Sequence, residues 1–387
     1  MRVYFDYNAT TPVSAEVAEA VARATRDLFG NPSSVHHHGQ QAKAALDEAR
    51  TAVAQLIGAE PPEVVFTSGG TEADNFAIRG LAEAVEGTGR KHLIASGIEH
   101  EAVLNTLKAL GRRGWTTTLI PVDSSGIVEP AALEAALTDD TALVSVMHAN
   151  NEIGTVQPIA ALAALAHARG ALFHTDAVQS AGKIPIDIKA LGVDLLAISA
   201  HKFNGPKGVG ALWIRRGTRL LPILTGGKHE RNRRAGTENV PGIVGMGVAA
   251  AAARQKLPSE AGRLAALRDR PEAGVLERVP GTAVNGDRAR RVPNTTNISF
   301  EGVDAESLLI ALDLEGFEVS TGSACSSGTL EPSHVLRAMG LPPSRAQNAL
   351  RFSLGTSNTR AEIDRLLDVL PAIVERARQL RRAGARR

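Results

Sequence analysis

The chain has 387 residues, with 43% hydrophobic and 22% charged content, the composition of a globular protein long enough for about two domains. A formal net charge of only +2 excludes the strong basic field of a dedicated nucleic-acid or membrane binder. No uncharged apolar run approaches the roughly 20 residues that span a bilayer, Met1–Asn8 has an early acid and no signal-like apolar core, and the lone cysteine, Cys325, allows no internal disulfide. A cytoplasmic protein is expected.

Strand-like and helix-like segments alternate along most of the chain. Gln41–Ile57 places Ala45, Leu46, Ala49, Val53, Leu56 and Ile57 at helical spacing and stops at Gly58. Glu63–Thr67 reads as a strand and Thr71–Ala84 as a helix. His92–Ser96, Leu143–Met147, Ala171–His174, Val193–Ile198 and Val209–Arg215 read as further strands, with helices at Glu101–Leu110 and Ile159–Ala168. This alternation predicts an α/β fold, with a mainly parallel sheet covered by helices. Near Leu257-Pro258 the pattern changes to a helix at Glu260–Arg268, a strand at Asn297–Phe300, helices at Ala305–Leu312 and Ser333–Met339, and a terminal helix at Arg360–Arg382. Residues 15–258 are therefore expected to form a large domain, and residues 1–14 with 259–387 a smaller α+β domain. Pro271 interrupts an otherwise helical run and predicts a kink or break.

Several chemically apt residues follow strand candidates, where ligands of parallel sheets bind. Lys202, in Ser199-Ala200-His201-Lys202, ends an apolar strand. A lysine there needs a partner or a covalent role such as a Schiff base with pyridoxal phosphate, although a snorkelling surface lysine is the plain alternative. Thr67-Ser68-Gly69-Gly70-Thr71 opens a helix, whose N-terminus suits an anion. Asp176 could hold a protonated pyridine nitrogen or merely cap a helix, and Gln179 could reach the ring's phenolic oxygen. Asn151 could orient substrate or ring. His100 could stack on the ring and move protons, or be structural. Cys325 lies in Gly322-Ser323-Ala324-Cys325-Ser326-Ser327-Gly328, a loop ill-suited to a packing cysteine. Its thiol at pH 7 is only about 3% thiolate unless activated. Arg351 offers a planar fork for a carboxylate, whether the substrate's or a protein acid's.

Taken together, these segments resemble the cysteine desulfurases, fold-type I pyridoxal phosphate enzymes of aminotransferase class V. The resemblance runs through Tyr4–Pro12, Gly30–Ser34, Thr67–Glu72, Val146–Gly154, His174–Ser180, Ser199–Gly208, Arg234–Asn239, Gly322–Gly328 and Leu350–Gly355, in the family's order. It implies that Lys202 binds the cofactor covalently, that Gly70, Thr71, Ser199 and His201 hold its phosphate, and that Thr237 reaches in from the partner of a homodimer. It further implies that His100 stacks on the ring, that Asp176 and Gln179 contact its nitrogen and phenolic oxygen, and that Asn151 and Arg351 hold the substrate. L-Cysteine would yield L-alanine, and Cys325 would take the sulfur as a persulfide for an acceptor such as an iron–sulfur scaffold or a tRNA-thiolation pathway. Neither direct nucleic-acid binding nor a resident metal is implied, and whether Cys325 transiently ligates a cluster stays open. The alternative is a selenocysteine lyase or another class V enzyme. The family has one histidine where this chain has His36-His37-His38, and consecutive residues cannot all face one zinc ion. The arginine-rich end also departs from the housekeeping bacterial type.

Overall fold

The computed structural model describes residues 2–321 and 332–384. The first part of the chain runs β1 (Val3–Tyr4), α1 (Ala15–Asp27), α2 (His37–Ile57), β2 (Val64–Thr67), α3 (Gly70–Ala84), β3 (His92–Ser96), α4 (Glu101–Gly111), β4 (Thr116–Ile120), α5 (Pro130–Ala136) and β5 (Thr141–Ser145). It continues through α6 (Ile159–Ala168), β6 (Leu172–Asp176), α7 (Ile188–Leu191), β7 (Leu195–Ser199), β8 (Gly210–Ile214) and α8 (Val240–Arg278). The last part comprises β9 (Thr282–Asn285), β10 (Thr295–Phe300), α9 (Ala305–Leu314), β11 (Phe317–Glu318), α10 (His334–Ala338), α11 (Pro343–Ala346), β12 (Ala349–Ser353) and α12 (Arg360–Gly384).

Local chemistry sets these boundaries. Ser14 caps α1, its hydroxyl accepting from the Val17 N–H at 3.3 Å. His36 caps α2 through Nδ1, and Gly58 ends that helix at φ 72°, a left-handed conformation that favours glycine. The histidine run is thus the start of a helix.

The main sheet has the order β2-β8-β7-β6-β5-β3-β4. β8 runs against both of its neighbours, and the other pairings are parallel. Alternate residues of one strand enter opposite cores, as the two-residue period of a strand requires. Phe66, Ile94 and Leu196 face one core, while Val65, Leu93 and Leu195 face the other. Both faces are buried, so these strands read as continuous apolar runs.

A separate core unites Phe5, Leu264, Ile298, Phe300, Phe317, Phe352 and Leu366 around the sheet β12-β10-β9. Helix α8 joins the two bodies. Met246 and Ala249 pack into the first core, and Leu264 and Val275 into the second. Of the kink or break expected at Pro271, a break does not occur, because α8 passes through both Pro258 and Pro271. An interior proline costs about 3 kcal/mol or more. Here α8 is anchored at both ends, against α1 and α2 on one side and α12 on the other, which offsets that cost.

The N-terminal segment is the second link. The Tyr7 N–H donates to the Ser353 carbonyl at 3.1 Å, and four residues later the Thr11 N–H donates to the His201 carbonyl at 2.9 Å. Residues 7–11 therefore tie β12 to the loop that carries Lys202.

Candidate active site

The carboxyl ends of β2, β6 and β7 meet at one edge of the main sheet. A Cβ added to Gly70 would lie 2.8 Å from Val178 Cγ2 and 3.6 Å from Ser199 Cβ, so the start of α3 is packed closely against the ends of β6 and β7. Helix α3 has no side-chain cap on its N-terminus, which leaves its amide end suited to an anion. Ser199 is buried beside it, Thr71 is exposed, and Thr71 shares an open cleft with His100.

Lys202 follows β7 in a short turn spanning Ala200–Lys202. Its Nζ donates to the carbonyls of Asn8 and Ala9 at 2.7 and 2.8 Å. Burial, then the cations Lys202, Lys207 and Lys183, push the His201 imidazole down to about 4. It is therefore a neutral donor–acceptor near pH 7, with Nδ1 3.2 Å from Thr10 Oγ1.

Asp176 ends β6 and is 5% exposed. Its Oδ1 accepts from the Val178 N–H at 2.8 Å. Burial raises its pKa, and His100, the Val178 N–H and Lys202 oppose that rise. His100 caps α4, with Nδ1 accepting from the Ala102 N–H at 3.1 Å, which leaves Nε2 for other work. Gln179 points its Nε2 at the Asn8 carbonyl, 2.9 Å away.

Arg351, on β12, is 3% exposed. Its Nη2 pairs with Asp6 Oδ1 at 2.6 Å and its Nη1 donates to the Asn151 carbonyl at 3.0 Å, while Nε has no partner among the described residues. The protein-acid pairing left open for Arg351 by its sequence is thus present, with one buried N–H unpaired among the described residues. Asn151 stands beside Arg351 through its backbone.

The structure thus brings Lys202, Gln179, Asn151 and Arg351 onto the segment Asp6–Ala9, with Asp176 near enough to Lys202 to feel its charge. Gly70, Thr71, Ser199 and His201 form the adjoining anion-suited edge. Thr237 is exposed and outside this group. Its arm leaves a segment in which Glu230, Arg231 and Asn232 have φ of 43°, 57° and 65°. That strained backbone is held by a buried pair, Arg50 Nη2 to Glu230 Oε1 at 2.7 Å. Arg234 then grips Glu72 of the anion loop at 2.8 Å. Cys325 lies outside the described residues. Among the described residues, no group of His, Cys, Asp or Glu is placed to hold a metal ion.

Sequence reasoning assigned no role to Asp6, Asn8 and Lys183. Asn8 is the hub, with its Nδ2 donating to the Asn151 carbonyl at 3.1 Å and to Thr295 Oγ1 at 2.8 Å. The available signal was position: Asp6 and Asn8 lie inside the first matched segment, Tyr4–Pro12, and Lys183 lies four residues after Gln179, just beyond His174–Ser180.

The aminotransferase class-V family matches residues 3–366. The chain belongs to that family. It is 51% identical over 378 residues to the cysteine desulfurase IscS of Dictyoglomus turgidum, covering 98% of this chain and 96% of that one. It is 50% identical to the cysteine desulfurase of Nostoc sp., covering 98% of this chain and 94% of the relative. Among solved structures, a NifS-like protein superposes with a TM-score of 0.91 at 40% identity, over 97% of this chain and all of that one. SspA in complex with cysteine superposes with a TM-score of 0.81 at 37% identity, over 92% of this chain and 99% of that one. The fold is that of the fold-type I pyridoxal phosphate enzymes, and the cofactor of this class-V enzyme is pyridoxal phosphate. The residues present fit it, with a lysine amine, a buried carboxylate for a pyridinium, and a close-packed glycine edge with free helix amides for a phosphate. No helix among the described residues is long and apolar enough to cross a membrane.

Buried titratable groups behind this edge give a pH test. Burial alone lowers the imidazoles of His148 to about 4 and His174 to about 3, so both are neutral when folded. The unfolded chain protonates them below about 6.5, so they cost stability as pH falls from there. Glu99 is opposite in sign. Burial raises it to about 8, so the folded chain keeps a proton that the unfolded chain releases above about 4.5, and this term weakens the fold as pH rises. Glu99→Gln is expected to remove that fall, up to about 1.4 kcal/mol per pH unit between roughly pH 5 and 8. Thermal melts of both forms across this range check it. A difference between variant and wild type that does not change with pH contradicts it.

Proposed function

We propose that the chain is a pyridoxal-phosphate-dependent cysteine desulfurase that converts L-cysteine to L-alanine and places the sulfur on Cys325. What carries this reading is about 50% identity over nearly the whole chain to cysteine desulfurases, together with Lys202 and Arg351 both reaching the segment Asp6–Ala9, with Asp176 near Lys202. When bound, the cofactor supplies an electron sink for charge developing at the substrate's Cα.

The chain's own residues do the rest. Lys202 anchors the cofactor and moves the proton at Cα through its amine. Asp176 keeps the ring nitrogen protonated, Gln179 serves the phenolic oxygen, and His100 covers the ring. Gly70, Thr71, Ser199 and His201 hold the phosphate, and Thr237 of a second copy completes that site in a homodimer. Arg351 holds the substrate carboxylate beside Asn151, and its Nε–H, unpaired among the described residues, favours that role. The Cys325 thiolate attacks the substrate's sulfur. The S–S bond forms as the substrate's C–S bond breaks, the electron pair and a proton go to carbon, and L-alanine and the Cys325 persulfide result. His100 Nε2 is the nitrogen available to shuttle thiol protons.

In this reading residues 15–258 carry the cofactor. The smaller domain of residues 1–14 and 259–387 carries Arg351 and Cys325. The enzyme is cytoplasmic and passes its sulfur to an acceptor protein such as an iron–sulfur scaffold, or towards tRNA thiolation. Equimolar L-alanine and sulfide from L-cysteine, with a thiol reductant present, test the reaction.

A further inference from the structure

Lys183 is a second lysine beside Lys202, and the reaction as described does not use it. It is 8% exposed and sits among uncharged partners. Its Nζ donates to Gln179 Oε1 at 2.7 Å and to Asn8 Oδ1 at 3.0 Å, and it forms no ion pair among the described residues. An amine buried without a carboxylate is costly unless its hydrogen bonds matter. Burial, then Lys202 and Arg351, all disfavour its charge. Methionine would fill similar space without that cost.

Those two bonds have a directional consequence. A carboxamide is nearly symmetrical in shape, so Gln179 can turn over, exchanging its oxygen and nitrogen, with little steric change. Nζ faces two oxygens, Asn8 Oδ1 and Gln179 Oε1, so Lys183 is the donor in both bonds and holds the oxygen of Gln179 on its side. The nitrogen is thereby directed to the other side, where it meets the Asn8 carbonyl, the same carbonyl that accepts from Lys202. Asn8 is fixed in the same way. Its Oδ1 accepts from both Lys183 and Asn294 Nδ2, the latter at 3.1 Å.

We propose that Lys183 is a positioning residue that fixes the Gln179 carboxamide with its N–H bonds, and not its oxygen, turned towards the cofactor's phenolic oxygen. This rests on the reading that Gln179 serves that oxygen. A donor on the phenolic oxygen weakens that oxygen's hold on the neighbouring protonated nitrogen of the lysine linkage, so losing the donor raises the pH at which the bound cofactor's absorbance titrates.

The experiment titrates that absorbance against pH in the holoenzyme for the wild type, Gln179→Leu, Lys183→Met and the double variant. Gln179→Leu and Lys183→Met are each expected to raise the midpoint by about 0.5–1 pH unit, the range of one altered hydrogen bond. The double variant is expected to rise no further than Gln179→Leu alone, because Lys183 acts through Gln179. Additive shifts overturn the proposal, since they would mean that Lys183 acts by its charge alone. A shift in Gln179→Leu without one in Lys183→Met overturns it too. Silence in Gln179→Leu removes the underlying reading of Gln179, and the proposal with it. Should Lys183→Met not fold, Lys183→Gln, which can face Gln179 in either sense, is expected to give a smaller rise, and no rise overturns the proposal.

Discussion

Lys202→Ala is expected to lose the bound cofactor's lysine-dependent absorbance and to reduce turnover of L-cysteine by about 10³-fold or more, as removal of both a covalent anchor and a proton carrier implies. The expectation comes from geometry. Lys202 sits in a tight turn after β7, with its amine held between the carbonyls of Asn8 and Ala9. Those two backbone contacts position the amine at the carboxyl end of β7. Lys202→Arg keeps the charge and tests the covalent role separately. It is expected to be as inactive as the alanine variant, because a guanidinium does not form the Schiff base. Spectra and single-turnover rates after reconstitution with excess cofactor check both variants. Activity in Lys202→Arg within tenfold of wild type contradicts a covalent role.

Asp176→Asn is expected to lower turnover by about 10²–10⁴-fold, the rate equivalent of the roughly 3–5 kcal/mol that separates a paired from an unpaired buried charge. Asp176 is nearly inaccessible to solvent, and burial by itself favours its neutral form. His100 and Lys202 pull the other way, and a pyridinium against the carboxylate would add to them. Asparagine preserves the shape and the bond to the Val178 N–H but carries no charge. Retained cofactor with lost turnover is the expected pattern. Loss of cofactor with normal turnover per bound cofactor would assign Asp176 to binding alone.

Much of this architecture was legible in the residues. Buried parallel strands are continuous apolar runs, so β3, β5, β6 and β7 stood out, and the glycine-rich start of α3 marked the anion edge. Other parts had no local signal. β4 is Thr116–Ile120, whose threonines are largely exposed at the edge of the sheet, so neither alternation nor an apolar run revealed it. Helix α8 looked broken because proline propensity is local, whereas the packing that holds the helix through Pro258 and Pro271 comes from two cores. The Arg351–Asp6 pair joins residues 345 positions apart. No spacing rule finds such a contact, and only the pairing of β12 with the N-terminal segment explains it. Lys183 was overlooked for a related reason, since its importance lies in what Gln179 and Asn8 lack without it.

L-Cysteine is expected to lose its sulfur to Cys325. The most direct test of that transfer is the release of L-alanine and sulfide from L-cysteine in the presence of a thiol reductant, measured for the wild type and for Cys325→Ser with equal cofactor content. Equimolar products are expected from the wild type and neither product from Cys325→Ser. Undiminished release of both by Cys325→Ser would contradict it.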